Sequence, residues 1–382
     1  MGKRHNGEGT VYKRADGSWA AQLSYLDPVT GQRKRRSFYG RTKAVVMGKL
    51  KEARQRLDSG SPVSDATITV GQWLRRWRET TLAASSRSEA TKAQYTHLAK
   101  RTESGDFGSI TLNRLKPTDV EALILDLRAK ELSDSTIRST FGVLRTALDV
   151  AVRDGLLATN PAAQVKRPGI ERQRSAYLSA DQVRSLLSAA DERGLRYATA
   201  LRLIAATGLR RGEALGLKWS DVDLDAGVLR VERTVSRVGK SVVSSTPKTA
   251  RSRRTVPLSP SVTAMLKAHR VKQDAERAAA EQHGLWRDED LVFCTHFGGV
   301  VEPSSLLREV RLAADEVGLP KNTGVHDLRH AAATLMLESG IHIKAVADIL
   351  GHSSVSITGD IYAATSDDMA QKAVDALSDA LS

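Results

Sequence analysis

Cysteine is nearly absent from this chain: its 382 residues carry one, Cys294. A single thiol excludes an internal disulfide and argues against a cysteine-rich metal cluster, and the apolar neighbours Leu291-Val292-Phe293 assign it to a buried strand. Apolar runs long enough to cross a bilayer are missing too. The opening Met1-Gly2-Lys3-Arg4-His5-Asn6 lacks the hydrophobic core of a secretory signal, and Asn6 breaks the myristoylation pattern, so a cytoplasmic protein is expected. No internal repeat and no low-complexity tract occurs. Acidic residues are outnumbered: 44 Asp and Glu stand against 58 Lys and Arg, a formal net charge of +14. That balance points to a polyanionic partner, although an anionic membrane surface attracts the same charge. The length suits two or three domains with ample material for cores.

What is present is unevenly placed. Residues 1–60 hold fourteen Lys or Arg against five Asp or Glu, nine of the chain's fourteen excess positive charges. Gly9–Arg14, Trp19–Leu26 and Arg33–Tyr39 read as three strands, joined at Asp16-Gly17 and at the Asp27-Pro28…Gly31 turn. Along the second strand Trp19, Ala21, Leu23 and Tyr25 alternate onto one face. A helix over Lys43–Leu57 is expected to cover that face with Val46, Leu50 and Leu57, leaving Arg33, Lys34, Arg35 and Arg36 for a DNA groove. The other reading of those charges is a basic hairpin in solvent.

Ser59-Gly60-Ser61-Pro62 is a linker signal, after which Thr67 or Thr69 opens a helix with Val70, Trp73, Leu74 and Trp77 on one stripe. The two tryptophans are assigned to core. Helices follow at Ser88–Lys100, Pro117–Lys130 and Ser135–Arg153, the last carrying Arg138 and Arg145 on one face that meets either phosphate or water. Lys166–Ser175 is charged, without apolar periodicity, and reads as a hinge. A capping box, Ser179-x-x-Gln182, then opens a third region. Its pattern predicts a helix over Leu195–Ala206 and strands at Val228–Ser236, Ser241–Ser245 and Arg253–Leu258, with Lys248 in the turn before the last. Helices at Ser261–Gln282 and Pro303–Val317 flank a short Leu291–Phe293 strand.

The stretch from His326 to Tyr362 carries the most chemistry. Helical positions three apart share a face, so His326 and Arg329 aim at one point while Ala332, Ala333, Leu335 and Met336 pack behind them. Gly340 suits a left-handed stop, and Gly351 ends the run Ile343–Leu350 so that His352 emerges at a helix end, with Tyr362 beyond a Ser/Thr-rich bend. Two imidazoles, a guanidinium and a phenol suit a phosphate in a trigonal-bipyramidal transition state, with the phenol as nucleophile. The plainer reading makes the histidines satisfied polar groups near helix ends and Tyr362 ordinary packing. A zinc pair at His326 and His330 fits poorly, because the metalloprotease spacing needs Glu where Asp327 stands, and Arg329 repels a cation.

Five motifs in order resemble the tyrosine recombinase or phage-type integrase family: T-G-L-R-R-G-E at 207–213, P-K-T…R-R-T-V-P-L within 247–258, H-D-L-R-H at 326–330, L-G-H-S-S at 350–354, and the tyrosine at 362. The match runs from about residue 179 to about residue 365. The resemblance places the family's first arginine on Arg210, its acidic residue on Glu213, its lysine on Lys248, its HxxR pair on His326 and Arg329, its late histidine on His352 and its nucleophile on Tyr362. In chemical terms Arg210 and Arg329 would neutralise the nonbridging oxygens and Lys248 would protonate the departing 5′-oxygen. His326 and His352 would donate, and Glu213 would orient its neighbours. Crowding Tyr362, whose reference pKa is about 10, against guanidiniums favours the phenolate.

The fold implied is a multidomain α+β chain: a small β-sheet-plus-helix arm-type DNA-binding domain (1–60), an all-α SAM-like core-binding domain (66–165) and a mainly-α catalytic domain with a small antiparallel sheet of the DNA breaking-rejoining type (176–382). The function implied is site-specific recombination through a covalent 3′-phosphotyrosyl link, integrating or excising a phage or other mobile element. No cofactor and no metal is implied. Expected partners are duplex DNA with core-type and arm-type sites and a homotetramer on that DNA, with a host bending protein and a directionality factor as further candidates and no membrane. An amphipathic stripe over 366–382 would dock on a neighbouring protomer or pack on its own domain. Alternatives are a chromosome-dimer resolvase, a tyrosine-type topoisomerase and a non-catalytic DNA-binding regulator.

Overall fold

Three strands and a helix form where the alternation of the first sixty residues places them. β1 (Thr10–Lys13), β2 (Trp19–Leu26) and β3 (Arg33–Gly40) make an antiparallel sheet in that order, and α1 (Lys43–Asp58) covers one face of it. Ala21, Leu23, Val46, Leu50 and Ala53 are buried between them, with Trp19, Tyr25, Phe38 and Leu57 packed around. The computed structural model describes residues 9–26, 33–58, 68–170, 177–239, 241–245, 253–352, 354–356 and 359. The Asp27…Gly31 turn, the Ser59–Pro62 linker, the second half of the 166–175 hinge, Lys248, Tyr362 and the 366–382 stripe fall outside these residues.

The β2–β3 register pairs Tyr25 with Lys34, Ser24 with Arg35 and Leu23 with Arg36. Neighbouring residues of a strand face opposite ways, so Lys34 and Arg36 stand on the α1 side and Arg33 and Arg35 on the other. The four basic residues thus form two pairs on opposite faces of the sheet. On the face away from α1, Arg35 donates to Gln22, which donates to the Tyr12 hydroxyl at 3.2 Å, and the Arg14 guanidinium lies 5.3 Å from the Tyr39 ring centre.

The rest of the first compact unit, Met1–Arg172, is helical around its own core. α2 (Val70–Trp77) starts at a capping box between Thr69 and Gln72, and Trp73 and Trp77 are both buried, as the stripe predicts. α3 (Glu89–Lys100), α4 (Gly105–Ser109), α5 (Pro117–Ala129) and α6 (Asp134–Arg153) follow. The five residues of α4 are too few to show a period, and the sequence gives no sign of it. On α6, Arg145 is exposed, while Arg138 donates to Pro168 O at 3.4 Å.

The second unit, Gln173–Ser382, contains α7 (Ala180–Glu192), α8 (Ala198–Thr207), α9 (Arg211–Leu215), α10 (Pro260–Glu281), α11 (Pro303–Glu316), α12 (Val325–Glu338) and α13 (Ile343–Leu350). Its strands are β4 (Val222–Asp223), β5 (Val228–Val231), β6 (Thr234–Val238), β7 (Ser241–Ser245) and β8 (Arg254–Pro257), in an antiparallel sheet ordered β4-β5-β8 and a β6-β7 hairpin. The core is built on α8, where Leu201, Leu203 and Ile204 are inaccessible, each such side chain contributing about 1.5–3 kcal/mol.

Two predicted strands change. The single strand over Val228–Ser236 is two, because Arg233 is held by an ion pair to buried Asp221 and β6 turns away to pack on α9. A Cβ on Gly212 would lie 2.5 Å from Val235 O, so only glycine permits that approach. Leu291–Phe293 is buried as expected but makes one isolated bridge, from Leu291 to Lys218. Side chains take the place of a neighbouring strand: Gln273 Nε2 donates to Leu291 O and Val292 O at 3.1 Å, and His269 Nε2 donates to Val292 O at 2.8 Å. Among the described residues no helix is long and apolar enough to cross a membrane.

Candidate active site

Two helix C-termini converge to form the site. α8 ends at Gly208, φ 65°, and α13 at Gly351, φ 66°, both in the left-handed conformation that favours glycine. The last carbonyls of a helix lack intrahelical partners and carry partial negative charge. Here arginines take them. Arg329 Nη1 donates to Gly208 O at 2.5 Å and its Nη2 to Leu350 O at 2.8 Å. Arg210 Nη2 donates to Gly351 O at 3.0 Å, and Arg254 Nε donates to Ile349 O at 2.5 Å. Three guanidiniums thus cap three successive carbonyls, Ile349, Leu350 and Gly351.

Glu213 ties two of them together. Its Oε1 accepts from Arg210 Nη1 at 2.7 Å, and its Oε2 from the Arg210 backbone N–H and from Arg254 Nη2, each at 2.9 Å. The carboxylate is 4% exposed. Arg210 starts α9 and Glu213 lies in its first turn, so the backbone bond is half of a helix cap as well as an ion-pair anchor. Arg329, 3% exposed, sits one turn into α12, whose first N–H groups are covered by Asp327 accepting from Gly324 N at 2.8 Å. That carboxylate is therefore engaged at a helix start.

Three arginines against one glutamate leave the cluster two charges positive, which sets its titration. Burial pushes the Glu213 carboxyl up, but the Arg254 hydrogen bond and charge, then Arg210, outweigh it and hold it below the ordinary carboxylate range. Burial, then Arg210, pushes Arg329 down to about 9, still protonated at neutral pH. His352, 9% exposed, is pushed down to about 4 by burial, then by Arg329 and Arg210. His326 stands at the rim, open to solvent, its ring 4.4 Å from the His330 ring at a steep angle; desolvation of its covered side, then His330 and Arg329, push it down to about 4. The site therefore presents cations beside neutral imidazoles, an arrangement that a phosphodiester would complete.

A pH dependence of stability follows. Both histidines titrate lower in the folded chain than the ordinary 6.5, so between about pH 6.5 and about pH 4 the unfolded chain binds more protons. Stability present above that window is lost as pH falls through it. Thermal unfolding at about pH 7 and about pH 5 measures the loss, and His352→Gln is expected to make it smaller.

The structure brings Arg210, Glu213, Arg329 and His352 together and sets His326 at the edge, linked to Arg329 through one turn of α12. Lys248 and Tyr362 lie outside the described residues. Among those described, no group of three or more His, Cys, Asp or Glu is placed to hold a metal ion. Arg254 is the residue that sequence reasoning missed. A signal existed: Arg254 and Val256 share a face of the predicted strand, Val256 is 1% exposed, and an arginine on an inward face needs a buried partner. Its side chain is 7% exposed.

Residues 176–369 match the phage integrase family. A XerC-like tyrosine recombinase from Caldanaerobacter subterraneus subsp. tengcongensis is 30% identical, over 90% of this chain and 92% of its own length. The integrase of Mycobacterium phage D29 is 27% identical, over 93% of this chain and 92% of its own. Among solved structures, the Tn1549 transposon integrase in complex with a circular intermediate DNA superposes with a TM-score of 0.68 at 21% identity, covering 81% of this chain and 99% of that one, a likeness of fold. With the match to residues 176–369 and the relative that is 30% identical along nine-tenths of the sequence, the chain belongs to the phage integrase family and is a tyrosine-type site-specific recombinase.

Proposed function

We propose that the chain cuts and rejoins duplex DNA by phosphoryl transfer to Tyr362. The observation that carries this reading is the net-positive cluster of Arg210, Arg254 and Arg329 with Glu213 at the ends of α8 and α13. A guanidinium has five N–H donors, and these contacts use two of Arg210's, whose side chain is 39% exposed and open to a ligand. Arg210 and Arg329 hold the nonbridging oxygens. The Tyr362 oxygen attacks phosphorus, its proton passing to a neutral imidazole, His326 or His352. The bond to the 5′-oxygen breaks, and Lys248 protonates that oxygen as it leaves. The phosphodiester is conserved as a 3′-phosphotyrosyl ester, so a 5′-hydroxyl of another strand reverses the steps without a nucleotide cofactor.

Exchange between two duplexes breaks four strands. With one such tyrosine per chain, four copies assemble on the DNA. Residues 1–60 take arm-type sites, 66–165 the core-type site, with Arg138 and Arg145 at phosphates, and 176–382 the chemistry. The likeness to a phage and a transposon integrase supports integration and excision of a mobile element in the cytoplasm, assisted by a bending protein and a directionality factor.

The test is covalent capture. Incubated with a library of nicked duplexes in a chelator, the wild type should retain DNA through denaturing electrophoresis, and retention of none would overturn the reading. The β-sheet register adds a second expectation. Arg35→Ala should reduce arm-DNA affinity and lower the slope of log K against log salt by roughly one, while leaving cleavage of core DNA unchanged.

A further inference from the structure

We propose that Arg254 is a positioning residue of the recombination site, clamping Glu213 to the last turn of α13 and so setting where Arg210, Arg329 and His352 stand at the scissile phosphate. This rests on the phosphoryl-transfer reading. Arg254 comes from β8 and reaches two other elements, Glu213 on α9 through both carboxylate oxygens, at 2.9 and 3.3 Å, and Ile349 O on α13 at 2.5 Å. It fits closely against the turn it holds: a Cβ on Gly351 would lie 2.8 Å from Arg254 Nη1. The next two carbonyls, Leu350 and Gly351, accept from Arg329 and Arg210, and the His352 N–H closes the same turn on Ala347 O at 2.9 Å. A shift of that turn therefore moves the acceptors of both proposed phosphate-binding arginines and the His352 ring at once.

Charge points the same way. Glu213 is faced by Arg210 at the start of its own helix, by Arg254 from β8 and by Arg329 from α12, with His352 beyond the end of α13. Arg254 supplies the largest stabilisation of the carboxylate form. Without it, Glu213 would take up a proton at higher pH and Arg210 would lose the charged acceptor that orients it. A lysine cannot replace the clamp, because one ammonium does not span two carboxylate oxygens and a carbonyl on another element.

The experiment uses the full chain and a nicked duplex that the wild type has captured covalently. Arg254→Gln is expected to lower the single-turnover cleavage rate roughly 10- to 100-fold while changing the Kd for that duplex less than about threefold. The acid limb of its rate profile should move to higher pH, and Arg254→Lys should recover only part of the rate. A second variant guards against misfolding: in Glu213→Gln/Arg254→Met both charges are removed, and the rate should match Glu213→Gln alone within about twofold. Cleavage at the wild-type rate by Arg254→Gln would overturn the proposal. So would a loss that only tracks the unfolded fraction with an unmoved pH profile, full recovery by lysine, or additive losses in the double variant. A wild type that captures no DNA would instead overturn the phosphoryl-transfer reading, and the role of Arg254 with it.

Discussion

Tyr362→Phe is expected to bind the captured duplex within about twofold of the wild type and to form adduct at least about 10⁴-fold more slowly. The hydroxyl is a single oxygen, and the bonds from Arg210, Arg329 and the His352 N–H to the backbone at the end of α13 are made without it. Binding should therefore survive, carried by Lys and Arg contacts along the backbone. The outcome separates a nucleophile from a DNA-contacting tyrosine, whose loss would weaken binding and chemistry together. Lys248→Ala gives the complementary result. It should slow cleavage of an ordinary duplex, yet a duplex with sulfur in place of the bridging 5′-oxygen should be cut near the wild-type rate, because a thiolate leaves without a proton. If sulfur gives no rescue, Lys248 is not the acid. If Tyr362→Phe still forms adduct, another side chain is the nucleophile and the assignment of Tyr362 fails.

Local patterns carried the parts of this fold that depend on neighbours in sequence. The alternation of Trp19, Ala21, Leu23 and Tyr25, the helix start at Thr69, the capping box at Ser179 and the Trp73-Trp77 stripe each involve residues within a few positions, and each appears in the structure. What escaped involves partners far apart. The Leu291–Phe293 run has an apolar strand's composition, but its carbonyls are satisfied by Gln273, 18 and 19 residues away, and no period reports that. Arg254 meets Ile349 across 95 residues. The site shows the same division. Family motifs picked out Arg210, Glu213, Arg329 and His352 as a set, yet motifs say nothing of what holds three guanidiniums side by side. That is done by the Glu213 carboxylate, which joins two of them, and by backbone: the carbonyls at two helix ends, where Gly208 and Gly351 turn the chain left-handed.

Because its partners are carbonyls, Arg329 should show a larger effect on activity than on folding. Arg329→Met leaves Gly208 O and Leu350 O buried without their donor, at about 1–3 kcal/mol each. Against that, the substitution removes a desolvated cation that Arg210 and Arg254 both repel, the cause of its lowered pKa. The two effects partly cancel, and a net loss of about 1–3 kcal/mol in unfolding free energy is expected, measurable by denaturant titration. Chemistry has no such offset. A donor aimed at charge that develops in the transition state contributes roughly 10²–10³-fold, and a guanidinium offers two at once, so adduct formation should fall at least about 10³-fold. Arg329→Lys keeps the charge but cannot reach both carbonyls, and should lie between the two. If the rates of these variants instead follow their folded fractions, Arg329 does no more than join α8 to α13, and the phosphate must be held by other groups.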